Sequence, residues 1–130
     1  MITQTEILHE EGYALVGAAM EVYNNLGFGL LEEIYQEALE IELTERKIEF
    51  VAKQPIKTFY KSVELRKKYI PDFIVFGELI IELKSVSALN SEHKAQLMNY
   101  MRLTRKPVGY LINFGVAERL VWERIVISKF

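Results

Sequence analysis

Three side chains near the middle of the chain have the types and spacing for phosphoryl chemistry. Asp72, the only aspartate among 130 residues, follows Pro71, and Glu82 and Lys84 lie a short way downstream. Leu79-Ile80-Ile81-Glu82-Leu83 is almost continuously apolar, the pattern of a central strand buried on both faces. A carboxylate in such a strand is costly unless it is paired or bound to metal. Glu82 and Lys84, two apart, point to the same face. Where Asp72 sits depends on the turn around Phe76-Gly77-Glu78. A three-residue loop centred on Gly77 sets Asp72 opposite Glu82, with both carboxylates on one sheet face. A two-residue Gly77-Glu78 loop pairs Asp72 with Leu83 and separates the acids. Glycine permits either geometry. Side-by-side carboxylates repel unless a cation lies between them, and oxygen-only donors favour Mg²⁺ or Mn²⁺. A lysine at the same place can orient an attacking water or neutralise a developing phosphorane charge. That combination suits metal-assisted phosphodiester hydrolysis. The simpler reading of the same residues is an ion pair of Lys84 with Glu82 or Asp72 at a sheet edge, because E-x-K triplets are common.

Two neighbouring segments offer further groups. Gln96 and Tyr100, four apart, share one face of a helix that follows the Glu82 strand. They can line a site there, or Tyr100 can be core together with Leu97, Met101 and Leu103. Upstream, Gly29-Leu30-Leu31-Glu32-Glu33-Ile34-Tyr35-Gln36 opens another helix, with Glu32 and Gln36 on one face. Glu32 is either an exposed acid favoured by the helix dipole or a third carboxylate within one water of the Asp72–Glu82 pair. The second alternative needs Leu31, Ile34, Tyr35 and Ala38 to pack inward, with Glu32 at the border of that face. His9 and His93 read as surface residues. Neither a G-x-G-x-x-G fingerprint nor a Walker A motif is present.

The elements that must position these groups follow from periodicity. Residues 5–25 carry apolar side chains at helical spacing, and Gly27 can cap that helix in a left-handed conformation. A second helix is predicted from Gly29 or Leu30 to about Lys47, its apolar face formed by Leu31, Ile34, Tyr35, Ala38, Leu39, Ile41 and Leu43. Phe50-Val51, Ile56, Phe59-Tyr60 and Val63 are strand-like, with a turn near Lys61-Ser62. Two strands, 67–76 and 79–86, flank Gly77. Asn90 or Ser91 caps a third helix running to about Arg105, and strands follow over 107–114 and 120–126. The order predicts an antiparallel meander, with the crossover helix returning the next strand parallel to it.

Composition narrows the classes. Half the residues are hydrophobic and 26% are charged, as in a globular chain, and the length suits one domain over residues 1–130. The absence of cysteine excludes a disulfide scaffold, a thiolate nucleophile and a cysteine-ligated metal. No apolar run reaches the roughly 18 residues of a membrane span, and MITQTEILHEEGY lacks the form of a signal peptide. A cytoplasmic protein without membrane contact is expected. The net charge of −2 hides an asymmetry: residues 1–50 hold 11 acids and 2 bases, residues 51–130 hold 7 acids and 14 bases. The second part can present a basic surface to a polyanion.

Taken together, LGFGLLEEIYQEAL, YIPDFIV, IIELKSV, the Gln96–Tyr100 pair of AQLMNY, and GYLINFG resemble, in order, the motifs of the GxxExxYQ family. Gly29, Glu32, Tyr35 and Gln36 spell its name. The resemblance spans about residues 10–127, and that family is placed in the PD-(D/E)XK nuclease-like superfamily. It implies an α/β, restriction-endonuclease-like core: a mixed sheet, antiparallel meander plus parallel strand, flanked by helices. It implies Asp72 and Glu82 as ligands of Mg²⁺ or Mn²⁺, Lys84 as the residue assisting water, Glu32 as a helix-borne acid, and Gln96 and Tyr100 lining the site. The implied function is a metal-dependent nuclease acting on DNA or RNA, with nucleic acid as partner. The alternative is a nuclease-fold module that binds nucleic acid or a protein without cleaving. The small size also leaves room for a homodimer or a protein partner.

Overall fold

The computed structural model describes residues 7–130. Residues 1–6, and with them the first six residues of the opening stretch read for a signal peptide and the first two residues of the predicted 5–25 helix, lie outside the described residues. Helices α1 (His9–Leu26), α2 (Glu32–Glu45) and α3 (Ser91–Thr104) flank a five-stranded sheet. Its strands are β1 (Phe50–Ala52), β4 (Phe73–Val75), β5 (Leu79–Lys84), β6 (Val108–Asn113) and β7 (Val121–Val126), in the spatial order β1-β4-β5-β6-β7. Strands β1, β4 and β5 form the antiparallel meander, β6 runs parallel to β5, and β7 is antiparallel to β6. This is the mixed α/β architecture that the element order predicts. Strands β2 (Phe59–Tyr60) and β3 (Val63–Glu64) pair only with each other, as a separate hairpin.

The pleat of β5 sorts the core. Leu79, Ile81 and Leu83 face the side where Leu15, Ala19, Tyr35, Leu39 and Leu43 of α1 and α2 pack. Ile80 faces the other side, with Leu97 and Met101 of α3. Glu82 and Lys84 continue the α3 side by alternation. Close approach of α3 depends on Gly109, where an added Cβ would lie 2.6 Å from the Met101 sulfur.

Several elements are shorter than their sequence pattern. Helix α1 begins at His9 because Leu8 is left-handed (φ 55°). Gly29 has φ 78° and Leu31 is extended, so α2 starts at Glu32, two or three residues after the predicted start. It ends at Glu45, with Lys47 left-handed (φ 58°). The inward face of α2 is also narrower than predicted. Tyr35, Leu39 and Leu43, each four apart, are buried, whereas Leu31, Ile34 and Ile41 are exposed. The predicted 67–76 strand contracts to Phe73–Val75. Its first half contributes only a bridge from Tyr69 to Ile56, and Pro71 has no N–H to extend the ladder.

The far ends of β5 and β6 are latched by buried Asn113, whose Nδ2 donates to Val86 O and whose Oδ1 accepts from Val86 N, both at 3.0 Å. Gly115 lies against that same backbone, and a Cβ there would come within 2.2–2.6 Å of the Val86 main chain. Backbone cannot swing aside as a side chain can. Gly115→Ala is therefore expected to destabilise the fold by about 2 kcal/mol or more, measured as a lowered midpoint in urea denaturation.

Candidate active site

The β4–β5 hairpin takes the three-residue form. Phe73 pairs with Ile81, Ile74 with Ile80 and Val75 with Leu79, leaving Phe76-Gly77-Glu78 as the loop. Phe76 and Gly77 are both left-handed (φ 57° and 70°), and Glu78 N donates to Val75 O at 3.1 Å. Carried one step further, this register sets Asp72 opposite Glu82, and their carboxyl groups are hydrogen-bond neighbours. Asp72 is nearly buried, at 8% exposure. Its Oδ2 accepts the Leu83 N–H at 2.7 Å, and its main-chain carbonyl accepts from Gln36 Nε2 at 3.1 Å and Lys53 N at 3.2 Å.

Two residues not anticipated from the sequence complete the arrangement. The Lys53 ammonium donates to Asp72 Oδ1. The hydroxyl of buried Tyr69 donates to Glu82 Oε1. Both positions follow from β1–β4 pairing: Ala52 opposes Phe73, so the next pair is Lys53 and Asp72, and the Ile56–Tyr69 bridge lies beyond it. A correct pairing of the first strand was the one sequence signal that would have found Lys53. Tyr69 falls in irregular backbone, where periodicity is silent.

Electrostatics follow from this crowding. Burial, then the Asp72 charge, push the Glu82 carboxyl up to about 8, outweighing the opposing hydrogen bond from Tyr69 and the charge of Lys84. Burial and the Glu82 charge and hydrogen bond push the Tyr69 phenol up. Burial lowers the Lys53 ammonium, but its hydrogen bond and attraction to Asp72, with Glu82 and Glu32 adding, raise it on balance.

The remaining sequence candidates fall at different distances from this centre. Lys84 is half-buried on the Glu82 face. Tyr100 stacks on Tyr69 (centroids 3.4 Å apart, 18° between planes) and accepts from Gln96 Nε2 at 2.8 Å. Gln96 is exposed, and this pair meets Glu82 through Tyr69. Tyr100 is thus neither plain core nor in direct hydrogen bond with an acid, and Leu103, its expected core companion, is exposed. Glu32 is exposed at the start of α2, which packs on the opposite side of the sheet from Glu82. It lines a cleft of about 350 Å³ that also contains Gln36, Lys53 and Asp72. Among the described residues no group of three or more carboxylates or histidines is close enough to hold a metal ion. His93 forms a capping box with Asn90, as expected of a surface residue.

The family model of the PD-(D/E)XK nuclease superfamily matches residues 9–125. The chain belongs to the PD-(D/E)XK nuclease superfamily. Pro71-Asp72 and Glu82-Leu83-Lys84 supply the letters of that name in order, the first pair directly before β4 and the triplet in β5. No curated protein matches the chain. Among solved structures, "Crystal structure of SSO0001" superposes with a TM-score of 0.58 at 19% identity, covering 75% of this chain and 50% of that one. The chain thus spans about half the length of that protein, and the likeness is one of fold. Among the described residues no helix is long and apolar enough to cross a membrane.

The raised Glu82 carboxyl gives a stability signature of known sign. In the folded chain it holds its proton up to about 8, against 4.5 for a free glutamate. The fold therefore loses stability as pH rises from about 4.5 through 8, where the unfolded chain ionises freely and the folded one does not. In metal-free buffer, Glu82→Gln is expected to remove this component. Between pH 5 and pH 8.5 the mutant should lose less stability than wild type, by an amount on the order of 3 kcal/mol, read from denaturation curves.

Proposed function

We propose that the protein is a Mg²⁺- or Mn²⁺-dependent nuclease that hydrolyses phosphodiester bonds in DNA or RNA. We also propose that it falls in the GxxExxYQ group of the superfamily, on the strength of Gly29, Glu32, Tyr35 and Gln36. The observation that carries the activity is the juxtaposition of Asp72 and Glu82, with Lys84 on the same sheet face, inside a superfamily fold. The donors suit a hard cation. Mg²⁺ uses one or two carboxylates and keeps several waters, and two adjacent carboxylates that repel in its absence are what it neutralises. A bound divalent ion would polarise a phosphate oxygen and make a water more acidic. Asp72 and Glu82 would hold it, with Glu32 at the cleft mouth adding negative charge. Lys84 would orient the attacking water and offset charge building on phosphorus. Tyr69 fixes Glu82 by its hydrogen bond, and Tyr100 with Gln96 buttresses Tyr69.

In an assay on single- and double-stranded DNA and RNA with Mg²⁺ or Mn²⁺, Lys84→Ala and Glu82→Ala are expected to lower cleavage by about 10²-fold or more with the fold intact by circular dichroism. Activity persisting at the wild-type rate in both would assign it elsewhere.

One observation favours a second reading, a nuclease-fold module that binds without cleaving: a protein cation, Lys53, already sits on Asp72. The Lys53 side chain is 55% exposed and that of Asp72 only 12%, so the ammonium can swing into solvent whereas the carboxylate stays in place. On the nuclease reading it is a displaceable occupant. Lys53→Met should then bind Mn²⁺ several-fold more tightly than wild type by calorimetry, while losing stability in metal-free buffer because Asp72 is left without its cation. If Lys53→Met binds no better, and wild type binds no Mn²⁺, the non-cleaving module is the better account.

A further inference from the structure

The segment between the two acid-contacting residues Lys53 and Tyr69 is unlike the rest of the chain. Residues 53–68 carry six bases (Lys53, Lys57, Lys61, Arg66, Lys67, Lys68) and one acid, Glu64, a net +5, whereas the remaining residues sum to −7. From 59 to 68 every residue is exposed, including Phe59 at 57% and Tyr60 at 64%. An apolar core does not explain aromatic side chains there, and a concentration of like charge opposes folding unless something external offsets it.

The backbone of the segment has a matching irregularity. Leu65 N donates to Thr58 O, and Ile56 bridges Tyr69. Between these two links lies one residue, Lys57, on the outgoing side and three, Arg66-Lys67-Lys68, on the return. The two extra residues form a bulge, which re-aims side chains out of the ladder. Lys67 and Lys68 line a groove of about 230 Å³ between this bulge and α3, whose walls also include Asn99, Tyr100 and Tyr69. Tyr69 is hydrogen-bonded to Glu82. The basic groove therefore ends beside one acid, and the start of the segment, Lys53, sits on the other.

We propose that the β2–β3 hairpin and the groove between its bulge and α3 grip an unpaired nucleic-acid strand, which makes single-stranded DNA or RNA, or a frayed end, the substrate class. The inference rests on the nuclease reading for its biological sense but not for its binding test. Lysine and arginine at the bulge meet phosphates, which supply affinity without sequence preference. Phe59 and Tyr60, exposed on alternate faces of β2, each offer a ring to bases, and only unstacked bases have faces to offer in return. A paired duplex would meet the charges but not the rings.

The test is fluorescence anisotropy in EDTA, so that no turnover is needed, with a labelled mixed-sequence single strand of 16 nucleotides and the corresponding duplex. Wild type is expected to bind the single strand at least tenfold more tightly than the duplex. Phe59→Ala/Tyr60→Ala should lose tenfold or more on the single strand and less than threefold on the duplex. Lys67→Gln/Lys68→Gln should flatten the log–log salt dependence on the single strand by roughly 1.4. Tyr13→Ala, exposed on α1 away from the groove, is the control and should bind as wild type. Circular dichroism checks that each variant is folded. The proposal is overturned if the aromatic double variant binds the single strand as well as wild type does. It is also overturned if wild type prefers duplex, or if the hairpin variants lose binding to phosphatidylserine vesicles while no oligonucleotide binds. Hairpin-dependent single-strand binding without cleavage in Mg²⁺ or Mn²⁺ would leave the grip standing and retire the nuclease reading. Cleavage unaffected by the hairpin variants would do the reverse.

Discussion

Asp72 and Glu82 face each other across two strands in a half-buried setting, and the surrounding structure is arranged so that two like charges can share that space. Unit charges about 4 Å apart at an effective dielectric near 20 interact by about 4 kcal/mol, a cost comparable to a sizeable part of a small domain's stability. The fold meets it in three ways. The Lys53 ammonium and the Leu83 N–H satisfy Asp72. The Tyr69 hydroxyl satisfies one Glu82 oxygen. What repulsion remains is relieved by proton uptake at Glu82. These groups come from separate stretches of chain, so the residue after β1, the irregular stretch before β4, and β5 are all committed to the same few ångströms.

The scaffold behind this point is built for positional rigidity. Gln36 of α2 donates to the Asp72 carbonyl, and Tyr35, one residue earlier, is wholly buried, stacks on Phe114 (4.2 Å) and donates to Gly27 O at 2.7 Å. One turn of helix thus fixes both the loop that precedes it and the strand end that carries the aspartate. At the same C-terminal end of β5, on the β6 side, Asn113 pins the backbone just beyond Lys84. The part of β5 that carries Glu82 and Lys84 is therefore held from both flanks, by Asp72 on one side and Asn113 on the other. Such support from rigid elements is what a preorganised site requires.

How much of this was legible in the sequence divides along physical lines. The strand and helix order, the hairpin at Gly77 and the face shared by Glu82 and Lys84 were readable, because each rests on a short-range period or a single permissive glycine. The inward face of α2 was read too broadly. Hydrophobic residues at Leu31, Ile34 and Ile41 fit helical spacing, yet their side chains are exposed; composition records that a residue is apolar, not that a partner surface exists for it. Gln96 and Tyr100 were correctly placed on one helix face, but their link to the acids runs through Tyr69, which no periodicity marks. Lys53 needed a non-local fact, the β1–β4 register, and lies across an excursion of more than a dozen residues from its partner.

That excursion is itself informative about the order of constraints. A meander normally closes with a short turn, and here β1 and β4 are joined through a basic segment whose β2–β3 strands contribute nothing to either core cluster, while Ile56 and Tyr69 at its base join the cluster on the α3 side. Closing the longer loop costs little extra entropy, so the sheet tolerates it. The segment still reaches the acids, because Lys53 at one end forms an ion pair with Asp72 and Tyr69 at the other donates a hydrogen bond to Glu82. A load placed on the hairpin pulls on Lys53 at one end and Tyr69 at the other. An anion bound to its lysines would also compete electrostatically with Asp72 for the Lys53 ammonium. Freeing that carboxylate favours entry of a divalent cation, and a divalent cation in turn favours an anion beside it. Reciprocity of this kind is a thermodynamic requirement whenever two ligands share one set of charges. It gives the position of the hairpin in the chain, between the residues that contact the two acids, a physical consequence.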